Sequence, residues 1–283
     1  MAGPLILSGK DFAAGVRNAL AEEIRGSNHR PPGLAVIMAG DDPASSVYVS
    51  MKEKACRKLG IVSTMRRLPA GVRREELLEA VRELNDDDEV DGILCQLPLP
   101  DHISADEVAS AVLPDKDVDG FHPVNVGRLW RGEEGLFPCT PFGIAEMLEH
   151  YGVPFNGARA VIVGRSNIVG KPMAALLLRR HATVTLAHSH TRDLPGLCSG
   201  ADILIAAVGR PRMITPDYVK PGATVVDVGI SRTDEGLVGD VDFDSVKDRC
   251  GAITPVPGGV GPLTIAYLMS NTVKAWRHHM KGR

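Results

Sequence analysis

One stretch near the middle of the chain decides the fold: Ala160-Val161-Ile162-Val163-Gly164-Arg165-Ser166-Asn167-Ile168-Val169-Gly170. Four strand-forming residues lead into a turn that has a glycine at each end, and a helical pattern follows from Lys171 to Arg180. A strand, a glycine turn and a helix start are typical of a dinucleotide site, because backbone N–H groups and the helix dipole there favour a pyrophosphate. The pattern G-x-S-x-x-x-G departs from G-x-G-x-x-G, so a turn that binds nothing is the competing interpretation.

The sequence after this turn favours binding, because it continues a parallel series. Strand patterns follow at Thr183 to Ala187, Ile203 to Val208, Thr224 to Val228 and Ala252 to Pro255. Open parallel sheets bind ligands at the carboxyl ends of their strands. We therefore predict a Rossmann-type domain over residues 140–261, with Gly164, Arg165 and Ser166 in the cofactor turn.

The end of the second strand of this series bears on the choice of cofactor. It reads His188-Ser189-His190-Thr191-Arg192 and holds no carboxylate that could accept hydrogen bonds from a ribose 2′-hydroxyl. Ser189, His190 and Arg192, together with Arg165 in the turn, could instead meet a 2′-phosphate. The segment favours NADP over NAD, and a polar loop with solvated basic residues is the alternative.

The first half of the chain shows the same alternation of strand and helix. Strand patterns lie at Leu34 to Ala39, Val62 to Leu68 and Asp91 to Leu97, and helical patterns at Asp11 to Ile24, Ser45 to Leu59 and Glu75 to Leu84. This βαβ order predicts a second parallel sheet, and hence an α/β protein of two α/β domains. Residues 1–139 form the predicted N-terminal substrate and catalytic domain, and a ligand is expected in the cleft between the domains.

Helices are expected to link the two domains. Pro138-Cys139-Thr140-Pro141 predicts a helix start, with Thr140 as N-cap and Pro141 at the first helical position. The final helical pattern, Leu263 to His279, is long enough to return to the first half of the chain. Residues 262–283 are therefore predicted to complete the N-terminal domain.

Two places in the first half could carry chemistry. Tyr48 and Lys52 are four residues apart and share one helix face, which sets an aromatic plane beside an amine. Gln96 ends an apolar strand and precedes Leu97-Pro98-Leu99-Pro100, at the sheet edge where α/β folds bind ligands. The alternatives are a half-buried core tyrosine with a solvated lysine, and an amide that caps a loop.

An acidic segment, Asp115-Lys116-Asp117-Val118-Asp119-Gly120, imitates the first half of a calcium loop. The twelfth position is Val126, where such a loop needs a bidentate glutamate, and Pro123 interrupts it. Calcium is therefore discarded, and the carboxylates are left available for a substrate.

A second unusual run is Ile253-Thr254-Pro255-Val256-Pro257-Gly258-Gly259-Val260-Gly261-Pro262. Its three prolines fix φ, and its three glycines remove side-chain bulk. Such a backbone can come close to a planar or phosphorylated ligand. A tight turn between a strand and the last helix is the alternative.

Composition limits the possible partners. The 283 residues carry a net charge of −3 with both signs interspersed, which argues against nucleic acid and an acidic membrane. No apolar run has the length of a membrane span and the N-terminus shows no targeting pattern, so a cytoplasmic location is predicted. The five cysteines form no C-x-x-C pair and the histidines show no metal-ligand spacing, so reduced thiols and no metal are expected.

Taken in chain order, these segments resemble the bifunctional methylenetetrahydrofolate dehydrogenase/cyclohydrolase family over essentially the whole length. The resemblance is carried by Tyr48 to Lys54, Asp91 to Pro100, Lys116 to Phe121, Gly164 to Ser166, Val169 to Pro172 and Pro255 to Pro262. It implies an NADP-dependent oxidation of 5,10-methylenetetrahydrofolate, hydrolysis of the 5,10-methenyl product to 10-formyltetrahydrofolate, and a homodimer.

The resemblance also implies roles for individual residues. Lys52 would be the catalytic lysine, with Gln96 orienting it. Tyr48 would stack on the folate, and Asp119 would hydrogen-bond the pterin. Further folate contacts would come from Leu97, Pro257, Gly258 and Gly259. Cofactor contacts would come from Gly164, Arg165, Ser166, Ser189, Thr140 and Ile230, with Arg165 and Ser189 on the 2′-phosphate.

These residue types suit the two reactions. Hydride loss from the carbon between N5 and N10 leaves a delocalised amidinium, so no base is needed beside the nicotinamide. Addition of water to that carbon does need proton transfer, and a lysine shielded from water beside a cation can supply a neutral amine near neutral pH. The alternatives are another two-domain NADP dehydrogenase that resembles shikimate dehydrogenase, and a regulator that binds NADP without catalysis.

Overall fold

A computed structural model of the protein describes residues 3–40, 42–234 and 236–281, with the backbone alone for 43–47. Contacts divide the chain into two compact units, which we call the six-stranded unit (Met1–Ala14 and Thr140–Thr264) and the three-stranded unit (Gly15–Cys139 and Ile265–Arg283). Helices α1 (Gly9–Gly26) and α10 (Gly261–Lys281) contribute residues to both units. Each unit contains a parallel sheet, so the predicted two-domain α/β class is confirmed.

The three-stranded unit is built on β2 (Gly33–Ala39), which lies between β3 (Val62–Leu68) and β4 (Gly92–Cys95), parallel to both. All seven residues of β2 are buried, as an uninterrupted apolar run in a parallel sheet requires. Helix α2 (Pro43–Leu59) lies between β2 and β3 in the chain, and α3 (Arg74–Asn85) between β3 and β4. Helices α4 (Ala105–Ala111) and α5 (Pro123–Arg131) follow β4.

The end of α10 belongs to the core of the three-stranded unit. Asn271 donates from Nδ2 to the carbonyls of Val118 and Phe137, at 2.8 and 2.9 Å. Trp276 is buried and donates from Nε1 to the Arg30 carbonyl at 2.9 Å. These contacts tie the last helix to the acidic segment and to the chain just before β2.

The six-stranded unit has the strand order β1-β11-β8-β7-β5-β6, with every neighbouring pair parallel. Its strands are β1 (Leu5–Ile6), β5 (Arg159–Val163), β6 (Thr183–Ala187), β7 (Ile203–Ala206), β8 (Thr224–Asp227) and β11 (Ala252–Ile253). Helix α7 (Gly170–Arg179) joins β5 to β6, and α8 (Leu194–Cys198) precedes β7. Because β6 and β7 flank β5 on opposite sides, the strand order reverses at β5, which is where such sheets bind ligands.

The structure differs from the sequence-based expectations at several places. Leu5 and Ile6 pair with β11, so the first residues join the six-stranded unit and not the predicted N-terminal domain. Helix α6 (Cys139–His150) already includes Thr140, whose hydroxyl lies 2.8 Å from that of Thr264, so the predicted N-cap is wrong. Elements that were not predicted include α4, α5, α8, α9 (Phe243–Val246) and the antiparallel pair β9 (Ser231–Thr233) and β10 (Gly236–Val238).

Candidate active site

Lys52 and Gln96 meet in the three-stranded unit. Gln96 follows β4, and its backbone N–H donates to the Ile37 carbonyl at 2.8 Å, which continues the pairing with β2. The partly buried Lys52 donates from Nζ to Gln96 Oε1 at 2.9 Å. Gln96 Nε2 in turn donates to the Leu97 carbonyl at 2.6 Å, so the amide oxygen is the end that faces the lysine. The amide therefore holds the amine in one position.

Asp119 lies on a loop that a neighbouring carboxylate folds. Both oxygens of the buried Asp117 accept hydrogen bonds. Its Oδ1 accepts from the backbone N–H groups of Gly120 and Phe121, at 3.1 and 3.2 Å. Its Oδ2 accepts from the backbone N–H of His122 at 2.8 Å and from the side-chain Nδ2 of Asn125 at 2.9 Å. The sequence did not single out Asp117 for this role. An aspartate three residues before a glycine often accepts hydrogen bonds from the backbone N–H groups of the turn that follows it. That spacing is the signal that could have identified Asp117.

The backbone after Asp119 requires glycine. Gly120 has a φ of 75°, and a Cβ there would lie 2.3 Å from the Phe137 carbonyl carbon. Burial raises the pKa of the Asp119 carboxyl to about 7, the positive charge of Lys52 counteracts this rise, and the charge of Asp117 adds to it. Asp119 is therefore close enough to Lys52 and Asp117 for both charges to act on it.

Two apolar groups lie on the elements that carry this cluster. Tyr48 is on α2, one turn before Lys52, and is 47% exposed. Leu97 directly follows Gln96 and is 37% exposed. Side chains at i and i+4 of a helix share one face, so the tyrosine ring and the lysine amine are neighbours on α2. Exposed apolar surface beside a polar cluster is what a largely planar ligand would cover.

The predicted cofactor turn lies in the six-stranded unit, between β5 and α7. Gly164 has a φ of 128°, and a Cβ there would be 2.2 Å from the Ala207 carbonyl oxygen. A Cβ at Gly170 would be 2.2 Å from the Gly164 carbonyl oxygen, so the turn closes on itself with no room for a side chain. Ser166 Oγ accepts from the N–H groups of Val169 and Gly170 at 3.1 and 3.3 Å, and thereby caps the start of α7.

The ends of β5 and β6 lie side by side, because Val163 pairs with Ala187 and the Gly164 N–H donates to the Ala187 carbonyl at 2.9 Å. The turn with Arg165 is thus beside the segment with Ser189. Arg165, Ser189 and Arg192 are exposed, and their side chains make no hydrogen bond or ion pair with other parts of the chain that the structure describes. Two free guanidinium groups and a hydroxyl are the donors that a 2′-phosphate needs.

The proline and glycine run forms a turn between β11 and α10. The Gly259 N–H donates to the Pro255 carbonyl at 2.8 Å, and Pro257 is exposed on the turn. The start of α1 supports it, because the Lys10 N–H donates to the Gly258 carbonyl at 2.9 Å and a Cβ at Gly9 would lie 1.8 Å from the Gly259 carbonyl oxygen. The tight-turn interpretation is therefore correct, and it does not exclude ligand contact.

Two residues to which only the family resemblance gives a cofactor contact also lie in this unit. Ile230 follows β8 and is 47% exposed. Thr140 pairs through its hydroxyl with Thr264, as described above. Among the residues that the structure describes, there is no group of three or more metal-binding side chains close enough to share an ion. The helices within that same part of the chain include none with the length and apolarity needed to cross a membrane.

The fold and the site define a class: a two-unit α/β protein with a dinucleotide-type turn at the switch point of one sheet and a Lys–Gln–Asp cluster beside the other. Family models give the particular assignment. The catalytic domain of tetrahydrofolate dehydrogenase/cyclohydrolase matches residues 7–119, and its NAD(P)-binding domain matches residues 138–280. The chain belongs to the tetrahydrofolate dehydrogenase/cyclohydrolase family.

Individual relatives agree over nearly the whole length. The bifunctional protein FolD of Halothermothrix orenii is 54% identical, over 97% of this chain and 98% of the relative. The crystal structure of FolD from Campylobacter jejuni has a TM-score of 0.95 at 48% identity and covers 96% of this chain and 98% of its own. The crystal structure of FolD from Trypanosoma brucei, complexed with NADP cofactor and an inhibitor, has a TM-score of 0.93 at 37% identity. It covers 99% of this chain and 100% of its own.

The alternative enzyme class is much more distant. Shikimate dehydrogenase of Aquifex aeolicus has a TM-score of 0.51 at 12% identity, over 89% of this chain and 93% of its own. Identity this low shows a likeness of fold alone. The resemblance to the folate enzymes, predicted from the sequence, is confirmed as the family assignment.

Proposed function

We propose that this protein is a bifunctional enzyme of one-carbon folate metabolism. It oxidises 5,10-methylenetetrahydrofolate with NADP and hydrolyses the resulting 5,10-methenyl compound to 10-formyltetrahydrofolate. One observation carries this proposal beyond family membership: the amine of Lys52 is held by Gln96 in the same cluster as Asp119, in the unit that matches the family's catalytic domain. A protein that only bound NADP would have no need of this arrangement.

The residues of the three-stranded unit have distinct tasks in this proposal. Lys52 takes and returns the proton when water adds to the cationic carbon and the ring opens. Gln96 keeps the amine oriented, since its other end is fixed by the Leu97 carbonyl. Tyr48 offers its exposed ring for stacking on the folate. Asp119 presents a carboxylate for the N–H groups of the pterin.

The six-stranded unit holds the cofactor. The donor set fits NADP, because Arg165 and Ser189 are free to bind a 2′-phosphate and the backbone from Gly164 to Ser166 opens onto the start of α7. When bound, NADP accepts a hydride from the methylene carbon. Thr140, Ile230 and the turn of Pro257, Gly258 and Gly259 are proposed as further ligand contacts of this unit.

Location and assembly are also proposals. All five cysteines are free thiols, and four of them are buried, which fits a reducing compartment such as the cytoplasm. A homodimer follows from the family resemblance alone. The expected biosynthetic context is the supply of one-carbon units, for example to purines, methionine and histidine.

The test is to mix the purified protein with NADP and methylenetetrahydrofolate and to follow the absorbance of NADPH and of the methenyl product. The same protein is offered shikimate with NADP, and methenyltetrahydrofolate without any cofactor. We expect oxidation of the methylene compound, cofactor-independent hydrolysis of the methenyl compound, and no oxidation of shikimate. Oxidation of shikimate, or NADP binding without turnover of either folate, would refute the proposal.

A further inference from the structure

Two buried carboxylates at the carboxyl edge of the large sheet have no place in the function described so far. Asp227 is the last residue of β8 and is 3% exposed, and Asp240, which follows β10, is fully buried. Both belong to the six-stranded unit, whereas Lys52 and Gln96 belong to the three-stranded unit. Buried carboxylates are costly unless they are well hydrogen-bonded, so a pair of them at a ligand-binding edge requires a physical reason.

Asp240 holds the segment that follows β7. Its Oδ2 accepts from the N–H groups of Val208 and Gly209, at 2.7 and 2.9 Å. Its Oδ1 is buried and makes no hydrogen bond with the rest of the described chain. One oxygen of Asp240 therefore fixes two consecutive N–H groups, while the other is spare.

Asp227 holds the segment that follows its own strand and the backbone of Asp240 and Val241. Its Oδ1 accepts from the N–H groups of Gly229 and Asp240 at 3.0 and 2.8 Å, and its Oδ2 accepts from that of Val241 at 2.9 Å. Its own N–H donates to Thr254 Oγ1 at 2.8 Å. In contrast to Asp240, both oxygens of Asp227 are engaged.

Two glycines make room for the carboxylates. A Cβ at Gly229 would lie 2.2 Å from Asp240 Oδ1, and a Cβ at Gly239 would lie 1.8 Å from Asp227 Oδ2. Burial raises the pKa of Asp227 to about 6, and the charge of Asp240 also raises it, whereas the backbone N–H donors lower it. The two carboxylates are thus close neighbours, and each occupies space that a glycine leaves open.

The segments held in this way are those next to the predicted cofactor turn. Val208 follows β7, which is paired with β5, and a Cβ at Gly164 would touch Ala207, the residue before it. Gly229 follows β8 and precedes the exposed Ile230. The carboxyl ends of β7 and β8 continue the edge at which parallel sheets bind dinucleotides.

We propose that Asp227 and Asp240 are positioning residues of the cofactor site, which fix the backbone after β8 and after β7 so that these segments can receive NADP. Together they immobilise five N–H groups. Neither carboxylate contacts the cofactor itself. The inference rests on the proposed use of NADP, and it concerns residues to which neither the sequence patterns nor the family resemblance gave a role.

The unbonded oxygen of Asp240 provides a sharp test, because the same isosteric change should weaken NADP binding at Asp227 and have little effect at Asp240. In Asp240→Asn the amide oxygen can still accept from both N–H groups, and the amide nitrogen takes the place of the unbonded Oδ1. In Asp227→Asn the amide nitrogen must face at least one N–H donor, so at least one hydrogen bond is lost in a buried site. Asp242→Asn is the matched control, since that carboxylate accepts from none of the five N–H groups.

The dissociation constant for NADP is measured by calorimetry, together with the KM for NADP in oxidation and the rate of hydrolysis of the methenyl compound without cofactor. We expect Asp227→Asn to weaken NADP binding by about tenfold or more, and Asp240→Asn and Asp242→Asn to change it by less than about threefold. Hydrolysis should stay within about twofold of the unmodified protein in all three, because it depends on the other unit. Equal NADP affinities for the Asp227 and Asp240 variants, or hydrolysis that falls in parallel with NADP binding, would overturn the inference.

A second pair of variants covers a failure of Asp227→Asn to fold. Asp240→Ala removes both oxygens and should weaken NADP binding by about tenfold, whereas Asp240→Asn should not. Equal affinities of these two variants would overturn the inference. Calorimetry measures NADP binding without turnover, so the two failures can be told apart. If the proposed reaction is wrong, the protein binds NADP but does not oxidise the folate. If this inference is wrong, the compared variants bind NADP with equal affinity.

Discussion

Replacing Lys52 by methionine separates the two proposed activities. Methionine keeps an unbranched apolar stem of similar length on α2 but has no ammonium, so the packing of the helix is little changed. The hydrogen bond from Lys52 Nζ to Gln96 Oε1, 2.9 Å long, is lost. The amide of Gln96 is itself partly exposed and can bind water instead, so we expect the fold to persist.

The expected effect on rate follows from the role of the lysine. A positioned acid–base group contributes about 10²- to 10⁴-fold, so hydrolysis of methenyltetrahydrofolate should fall by at least about a hundredfold. Hydride transfer needs no proton transfer, so oxidation of the methylene compound should fall by less than about tenfold. The assay follows the loss of methenyl absorbance without cofactor, and the formation of NADPH with it.

The matched control is Lys54→Met, because Lys54 is exposed on the same helix and two residues away, which directs it to a different face. This variant should keep both activities. If Lys52→Met hydrolyses the methenyl compound at the unmodified rate, Lys52 is not the proton-transfer group. If both activities fall together by the same factor, the lysine serves binding and not the chemistry of hydrolysis.

Three further predictions concern binding, pH and stability. Arg165→Ala should weaken NADP binding by about ten- to a hundredfold and leave NAD binding unchanged, as the loss of a charged hydrogen bond implies; equal losses for both cofactors in parallel titrations would contradict it. Because the pKa of Asp119 is raised to about 7 in the folded protein, the unfolded chain releases this proton first, so the free energy of unfolding should fall as the pH rises from about 4 to 7. Asp119→Asn should abolish this part of the pH dependence in urea titrations, and an unchanged slope would count against the raised pKa. The buried Asp91 accepts from Arg30 at 2.7 and 2.9 Å and lies 2.9 Å from His279 Nδ1, so Asp91→Ala should lower the free energy of unfolding by about 3–5 kcal/mol. Burial acts to raise the pKa of Asp91, but its hydrogen bonds lower the pKa overall. The contribution of Asp91 to the free energy of unfolding should therefore be lost below about pH 4. A loss of less than about 1 kcal/mol in the Asp91→Ala variant would refute this account.

Local patterns predicted most of the secondary structure. The limits of Val62–Leu68 and Thr183–Ala187 agree with the prediction at both ends, because strand-forming residues there are bounded by turn residues. Leu5–Ile6 was not predicted, since two apolar residues give no period and form a strand only because β11 is available as a partner. The helix α4 was missed for a similar reason, as seven residues span barely two turns.

The site shows the same division. Lys52 and Gln96 were predicted separately, from helix spacing and from position after a strand, and the structure brings them to a hydrogen bond of 2.9 Å. Asp227 and Asp240 gave no usable signal, because their roles depend on backbone N–H groups up to 32 residues away along the chain. A pattern of residue types does not show which donors will face a buried carboxylate.

The sequence by itself determined the class of fold, the family and the candidate residues, because hydrophobic period, glycine position and the order of motifs are properties of the chain read in one dimension. The tertiary structure alone decided which oxygen of Asp240 is spare, which end of the Gln96 amide faces Lys52, and that the first strand belongs to the six-stranded unit. These features depend on distances between residues that are far apart in sequence, and such distances are set only when the sheets and helices pack.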